Sequence, residues 1–84
     1  MMNVELSPKT KKYFDALDSP IQIRIKNALR KLALEPPQGD IVSLSGIDGF
    51  RLRVGKYRLL FDVADDKIIV YDIGLRGQIY KKGR

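Results

Sequence analysis

Arg51 and Arg53 alternate with Phe50, Leu52 and Val54, and Arg58 follows Tyr57 just across Gly55-Lys56. A guanidinium offers a planar fork of donors that matches phosphate or carboxylate oxygens and stays charged at any ordinary pH, so the chemistry these residues suit is anion binding. Period-two alternation sends the apolar residues to one face of a strand and the arginines to the other. The run Tyr57, Leu59, Phe61, Val63 resumes the alternation, so the segment predicts a hairpin with a two-residue turn at Gly55-Lys56, Gly supplying the positive φ. That register sets Val54 opposite Tyr57, Leu52 opposite Leu59 and Phe50 opposite Phe61, and it puts Arg53 directly across from Arg58. Like charges facing each other across a ladder oppose folding by some tenths of a kcal/mol unless something anionic lies between them. A merely solvated face would intersperse its signs. Here three guanidiniums converge, with Asp62 and Asp72 as candidates to neutralise them in part.

A further strand follows. With Asp65-Asp66-Lys67 as a three-residue loop, Val63 faces Ile69, Phe61 faces Tyr71 and Leu59 faces Ile73. A two-residue loop at Asp65-Asp66 would instead turn Asp72 into the core, and an unpaired buried carboxylate costs several kcal/mol or becomes protonated. The three-residue loop is therefore expected, which places Asp72, Gly74 and Arg76 on the arginine face.

Eighty-four residues suffice for one domain with a modest core, taken as residues 1–84. At 44% hydrophobic and 31% charged the composition is that of a folded domain, not a disordered chain. The absence of cysteine and histidine excludes disulfides, thiolate chemistry and the commonest metal ligand and base, and no tight carboxylate cluster is visible; neither metal nor cofactor is expected. No apolar run is long enough to span a bilayer and the first residues do not read as a signal peptide, so a cytoplasmic protein with no membrane partner is expected. A net charge of +6 and a pI near 9.8 favour a polyanionic partner, nucleic acid first.

Asn3-Val4-Glu5-Leu6 is a short strand candidate. Ser7-Pro8 predicts a helix start, Ser as cap and Pro at the first helical position, with Tyr13, Phe14 and Leu17 as its apolar stripe and Lys9, Lys11 and Lys12 outward. Ser19-Pro20-Ile21-Gln22 reads as a capping box opening a second helix, whose Ile21, Ile25, Ala28, Leu29 and Leu32 share one face up to Pro36-Pro37. Arg24, Lys26, Arg30 and Lys31 decorate its outer surface and are candidates to touch phosphates. Residues 35–48 read as a Pro-, Gly- and Asp-rich linker in which Ile41 to Leu44 are pinned to the helices. The expected architecture is α+β, in the order βααβββ: two helices packed on one face of a small, mainly antiparallel sheet, the arginine face left free.

This order, the block Gly49-Phe50-Arg51-Leu52-Arg53-Val54-Gly55-Lys56-Tyr57-Arg58-Leu59-Leu60-Phe61 and the ending Ile73-Gly74-Leu75-Arg76-Gly77-Gln78-Ile79-Tyr80 resemble the RelE/ParE superfamily of toxins from bacterial and archaeal toxin–antitoxin systems. The resemblance covers almost the whole chain. It implies one of two activities: ribosome-dependent cleavage of messenger RNA in the A site, as in the RelE branch, or gyrase inhibition, as in the ParE branch. It also implies a small cognate antitoxin as partner and, for the RelE branch, the ribosome carrying mRNA. Carried over to this sequence, the RelE-type catalytic positions fall on Arg51, Arg53, Arg58, Arg76 and Tyr80. The best-studied members have lysines where this chain has Arg51 and Arg53.

Metal-free RNA cleavage needs a base for the attacking 2′-hydroxyl, positive charge at the phosphorane oxygens and a proton for the leaving 5′-oxygen. Arginines suit the second role and serve poorly as bases, with a pKa of roughly 12.5 or more. The resemblance thus assigns Arg58 and Arg76 to transition-state stabilisation, Arg51 and Arg53 to RNA positioning or charge stabilisation, and Tyr80 to the role of base or of a stacking platform. Lys56, Lys81, Lys82, Arg24, Arg30 and Lys31 are the expected RNA-binding residues. A non-catalytic RNA- or ribosome-binding module remains the third reading.

Overall fold

Ser7 does what its position before Pro8 predicts: its Oγ accepts the backbone N–H of Thr10 at 3.2 Å and caps the first helix. The computed structural model describes residues 2–44 and 49–75. In chain order these form β1 (Asn3–Leu6), α1 (Pro8–Asp15), α2 (Ser19–Leu32), β2 (Asp40–Ser43), β3 (Phe50–Val54), β4 (Tyr57–Ala64) and β5 (Lys67–Leu75). The second cap differs from expectation. Asp18 precedes α2 without a side-chain cap bond, and Gln22, instead of closing a capping box, donates from Nε2 to Phe14 O at 2.9 Å, tying the end of α1 to the start of α2.

Among the described residues the strands make one five-stranded sheet in the order β1-β5-β4-β3-β2, with β1 parallel to β5 and the other pairs antiparallel. The α+β class and the two-helix layer are as expected. The added element is β2, which pairs along β3 within the stretch expected to be linker. Ile41 reaches the core, but from the sheet edge rather than by attachment to the helices. Gly39 makes that entry possible: its φ is +139°, and a Cβ there would lie 2.9 Å from Leu52 Cδ1.

The β3–β4 register is the expected one, including Arg53 opposite Arg58. In β4–β5 the two candidate registers turn out to coexist. Near the turn the loop is Asp65-Asp66 alone, and Val63 pairs with Ile68 and Phe61 with Val70; beyond a bulge that leaves Tyr71 unpaired, Leu59 pairs with Ile73. One extra residue in a strand shifts the register by one, so Ile68, Val70 and Ile73 all reach the core. Asp72 is buried, yet it is not orphaned and does not serve the arginines: its Oδ1 accepts the Ile73 N–H at 2.9 Å and lies 3.4 Å from Lys9 Nζ of α1.

One apolar cluster joins Phe14, Ile25 and Leu32 of the helical segment to Leu52, Leu59, Phe61, Ile68, Val70 and Ile73 of the sheet, with Phe50 stacked on Phe61 at 5.4 Å between centroids. The opposite face is less open than expected. Arg58 and Leu60 are buried in it, whereas Arg53 and Asp62 are exposed.

Candidate nucleic-acid interface

The turn between β3 and β4 organises the site. Gly55 has φ +60° while Lys56 does not take positive φ, the pattern of a turn that needs glycine at its first central position. Arg58, only 6% exposed, folds back so that its Nη1 donates to Gly55 O at 3.1 Å and to Tyr57 O at 3.0 Å. From the other side Arg24 of α2 approaches so closely that a Cβ on residue 55 would lie 3.1 Å from its Nη2. Two guanidiniums thus bracket one turn.

Arg53 stands across from Arg58 on one side and is paired with Asp40 on the other. Register places Asp40 opposite Arg53 on the β2 side. Its Oδ2 pairs with Arg53 Nε, and its Oδ1 lies 3.9 Å from Arg51 Nη2. The expected neutralisers lie elsewhere: Asp72 pairs with Lys9, and the Asp62 carboxylate sits beside Gly49. Sequence reasoning missed Asp40 because its role depends on a four-residue strand whose alternation is too short to read. The Gly39-Asp40 step followed by Ile41-Val42 was the available signal.

Arg24, Asp40, Arg53, Gly55, Lys56 and Arg58 line an open cleft of about 800 Å³. A smaller adjoining hollow extends it along α2 past Asn27 and Lys31 to Gln38. Of the sequence-predicted residues, Arg24, Lys31, Lys56, Arg53 and Arg58 therefore come together, and Arg51 joins through Asp40. Arg30 does not: it bonds Asn27 Oδ1 at 3.2 Å and lines a separate groove with Met2, Val4 and Leu29. Arg76, Tyr80, Lys81 and Lys82 lie outside the described residues.

Two tyrosines have hydroxyls shifted upward from the ordinary value. Burial is the main cause for both; Tyr57 and Asp72 add to it for Tyr13, and Asp62 and Asp72 for Tyr71. Both phenols stay protonated at neutral pH. What the cleft offers is positive charge around a single carboxylate, a donor set of the kind that suits phosphate oxygens.

Residues 4–80 match the family model of the ParE toxin of type II toxin–antitoxin systems, parDE, and the chain belongs to this family. Its structure is RelE-like. It is similar to the archaeal RelE–RelB complex of Pyrococcus horikoshii OT3 (TM-score 0.78, 25% identity, 92% of this chain and 97% of that one). The RelB–RelE complex of Methanococcus jannaschii gives a TM-score of 0.76 at 24% identity over 94% of this chain and 98% of that one. The isolated E. coli RelE toxin gives 0.72 at 22% identity over 99% and 95%. No curated protein sequence matches. No helix among the described residues is long and apolar enough to cross a membrane.

Proposed function

We propose that this toxin is a RelE-like, ribosome-dependent endoribonuclease of the cytoplasm that cuts mRNA by attack of a 2′-hydroxyl on the adjacent phosphate and is held in check by a cognate antitoxin. The observation that carries this reading is the convergence of Arg24, Arg53, Lys56 and Arg58 on one open cleft. In the reaction the 2′-oxygen bonds to phosphorus, the 5′-oxygen leaves with a proton, and a 2′,3′-cyclic phosphate remains. Arg58, fixed by two backbone carbonyls, supplies charge to the phosphorane oxygens; Arg53, Arg51, Arg24 and Lys56 hold the strand. Arg76 and Tyr80 complete the set, Arg76 as a second stabiliser and Tyr80 as base or stacker. A site this short of acids and bases gains from a substrate oriented by the ribosome, since positioning alone supplies much of a barrier reduction.

Primer extension on a reporter transcript after brief induction tests this, comparing wild type with Arg58→Ala, Arg76→Ala and Tyr80→Phe, with and without a translation block. Cuts within translated codons that vanish in the variants and in the blocked sample are expected. The ParE family match favours a second reading, a gyrase inhibitor without nuclease activity. Growth arrest with intact transcripts and impaired supercoiling would establish that reading instead.

A further inference from the structure

The cleft contains two kinds of arginine. Arg58 is buried and tethered to Gly55 O and Tyr57 O, so its position is independent of any ligand. Arg53 has a side chain 55% exposed and is held by Asp40, itself 38% exposed. A solvated ion pair of this kind is worth little and exchanges partners readily. The Asp40 carboxylate presents two oxygens, one to Arg53 Nε and one toward Arg51 Nη2, which is the way two oxygens of a phosphodiester would meet the same guanidiniums.

We propose that Asp40 is a built-in occupant of the anion site, a carboxylate that positions Arg53 and Arg51 before RNA binds and is exchanged for a phosphodiester of the RNA strand on binding. The inference rests on the nucleic-acid reading of this cleft and adds a specificity device to it. A single weak anion does not repay the lost Asp40 contacts, whereas a strand that also engages Arg24, Lys56 and Arg58 does. Asp40 thereby raises the threshold for binding. It is a positioning residue and takes no part in bond making.

The test uses a labelled 2′-O-methyl oligoribonucleotide, which lacks the attacking hydroxyl and cannot be cut, titrated by fluorescence anisotropy at several salt concentrations. Asp40→Asn keeps the shape of the side chain and is expected to bind about three- to tenfold tighter than wild type, with a steeper salt dependence as Arg53 becomes available to phosphate. The gain disappears when Arg53→Ala is combined with it. Asp15→Asn removes the same charge from the Lys11 pair on α1, outside the residues that line the cleft, and measures the effect of net charge alone. An Asp40→Asn gain no larger than that of Asp15→Asn, or weaker binding, overturns the proposal and leaves Asp40 a brace of the edge strand. Asp40→Ser is the second variant, and failure of both to fold also counts against the proposal, because an exchangeable pair must be dispensable to the fold. Tighter binding by Asp40→Asn alongside intact transcripts in cells would keep this inference and remove the nuclease reading.

Discussion

β4 carries a turn at each end, and the two turns share a positive φ at the first loop position while differing in charge. Gly55 has φ +60° and Asp65 has φ +56°, each at the first position of a two-residue loop. A positive φ favours glycine, though aspartate also adopts it. Both positions are exposed, but at Gly55 a Cβ would lie 3.1 Å from Arg24 Nη2, so the guanidinium would have to give by a few tenths of an ångström. A side chain at residue 55 is strained by the φ in any case, and the Arg24 guanidinium tightens the space further. The charges follow suit: Arg53, Lys56 and Arg58 surround one end of β4, and Asp62, Asp65 and Asp66 surround the other.

The largest effect expected from breaking this contrast is at the buried arginine. Arg58→Ala deletes a guanidinium that holds two carbonyls of the turn and, on the proposed mechanism, faces the developing phosphorane charge. Transcript cleavage should fall by about a hundredfold or more, the usual consequence of removing one preorganised donor. Arg58→Lys should not rescue it, since an ammonium lacks the planar fork. Retention of more than about a tenth of wild-type cleavage would remove Arg58 from the chemistry.

Alanine placed at each turn in turn sharpens the comparison. At Gly55 it meets both the left-handed φ, a cost of about 1–2 kcal/mol, and the Arg24 guanidinium, so that stability and oligonucleotide affinity should fall together. At Asp65 alanine meets only the φ in place of a residue already there, and a loss of about 1 kcal/mol or less is expected with affinity unchanged or slightly raised. Urea midpoints and anisotropy on the same samples separate the two. Equal losses at both positions would mean that Arg24 yields freely and the crowding at Gly55 is of no consequence.

The same contrast governs what could be read from sequence. The β3–β4 hairpin was legible because strict alternation and a glycine turn specify one register, and the helices because Ser7-Pro8 and the spacing of Ile21, Ile25 and Leu32 act locally. The acidic hairpin was half legible. Each candidate register is correct over part of its length, and a bulge at Tyr71, which answers to packing on both sides of β5, joins them. Gln22 fits a capping box by spacing, but the Phe14 carbonyl at the end of α1, which also accepts the Leu17 N–H, competes for its amide. The arginines of the cleft were visible as residue types, whereas their counter-ion was not: Asp40 becomes a partner only through strand pairing with β3, a contact that no local pattern encodes.

The smallest effect, invisible at neutral pH, lies in the acidic hairpin. Burial, with Asp62 and Asp72 nearby, raises the Tyr71 hydroxyl above its ordinary value, and burial does the same for Tyr13. The unfolded phenol ionises near pH 10, the folded one at higher pH, so between these values the native state holds more protons than the unfolded state. Stability is therefore complete below about pH 10 and declines as pH rises from there through the folded pKa. Tyr71→Phe keeps the ring and removes the ionisation. The wild-type urea midpoint should fall relative to that of Tyr71→Phe as pH rises from neutrality into this window, because only wild type loses the Tyr71 contribution there; lysine deprotonation acts on both proteins alike. Parallel declines for the two proteins would show that the Tyr71 phenol ionises as readily in the fold as outside it, and that the carboxylates near the bulge exert no hold on it.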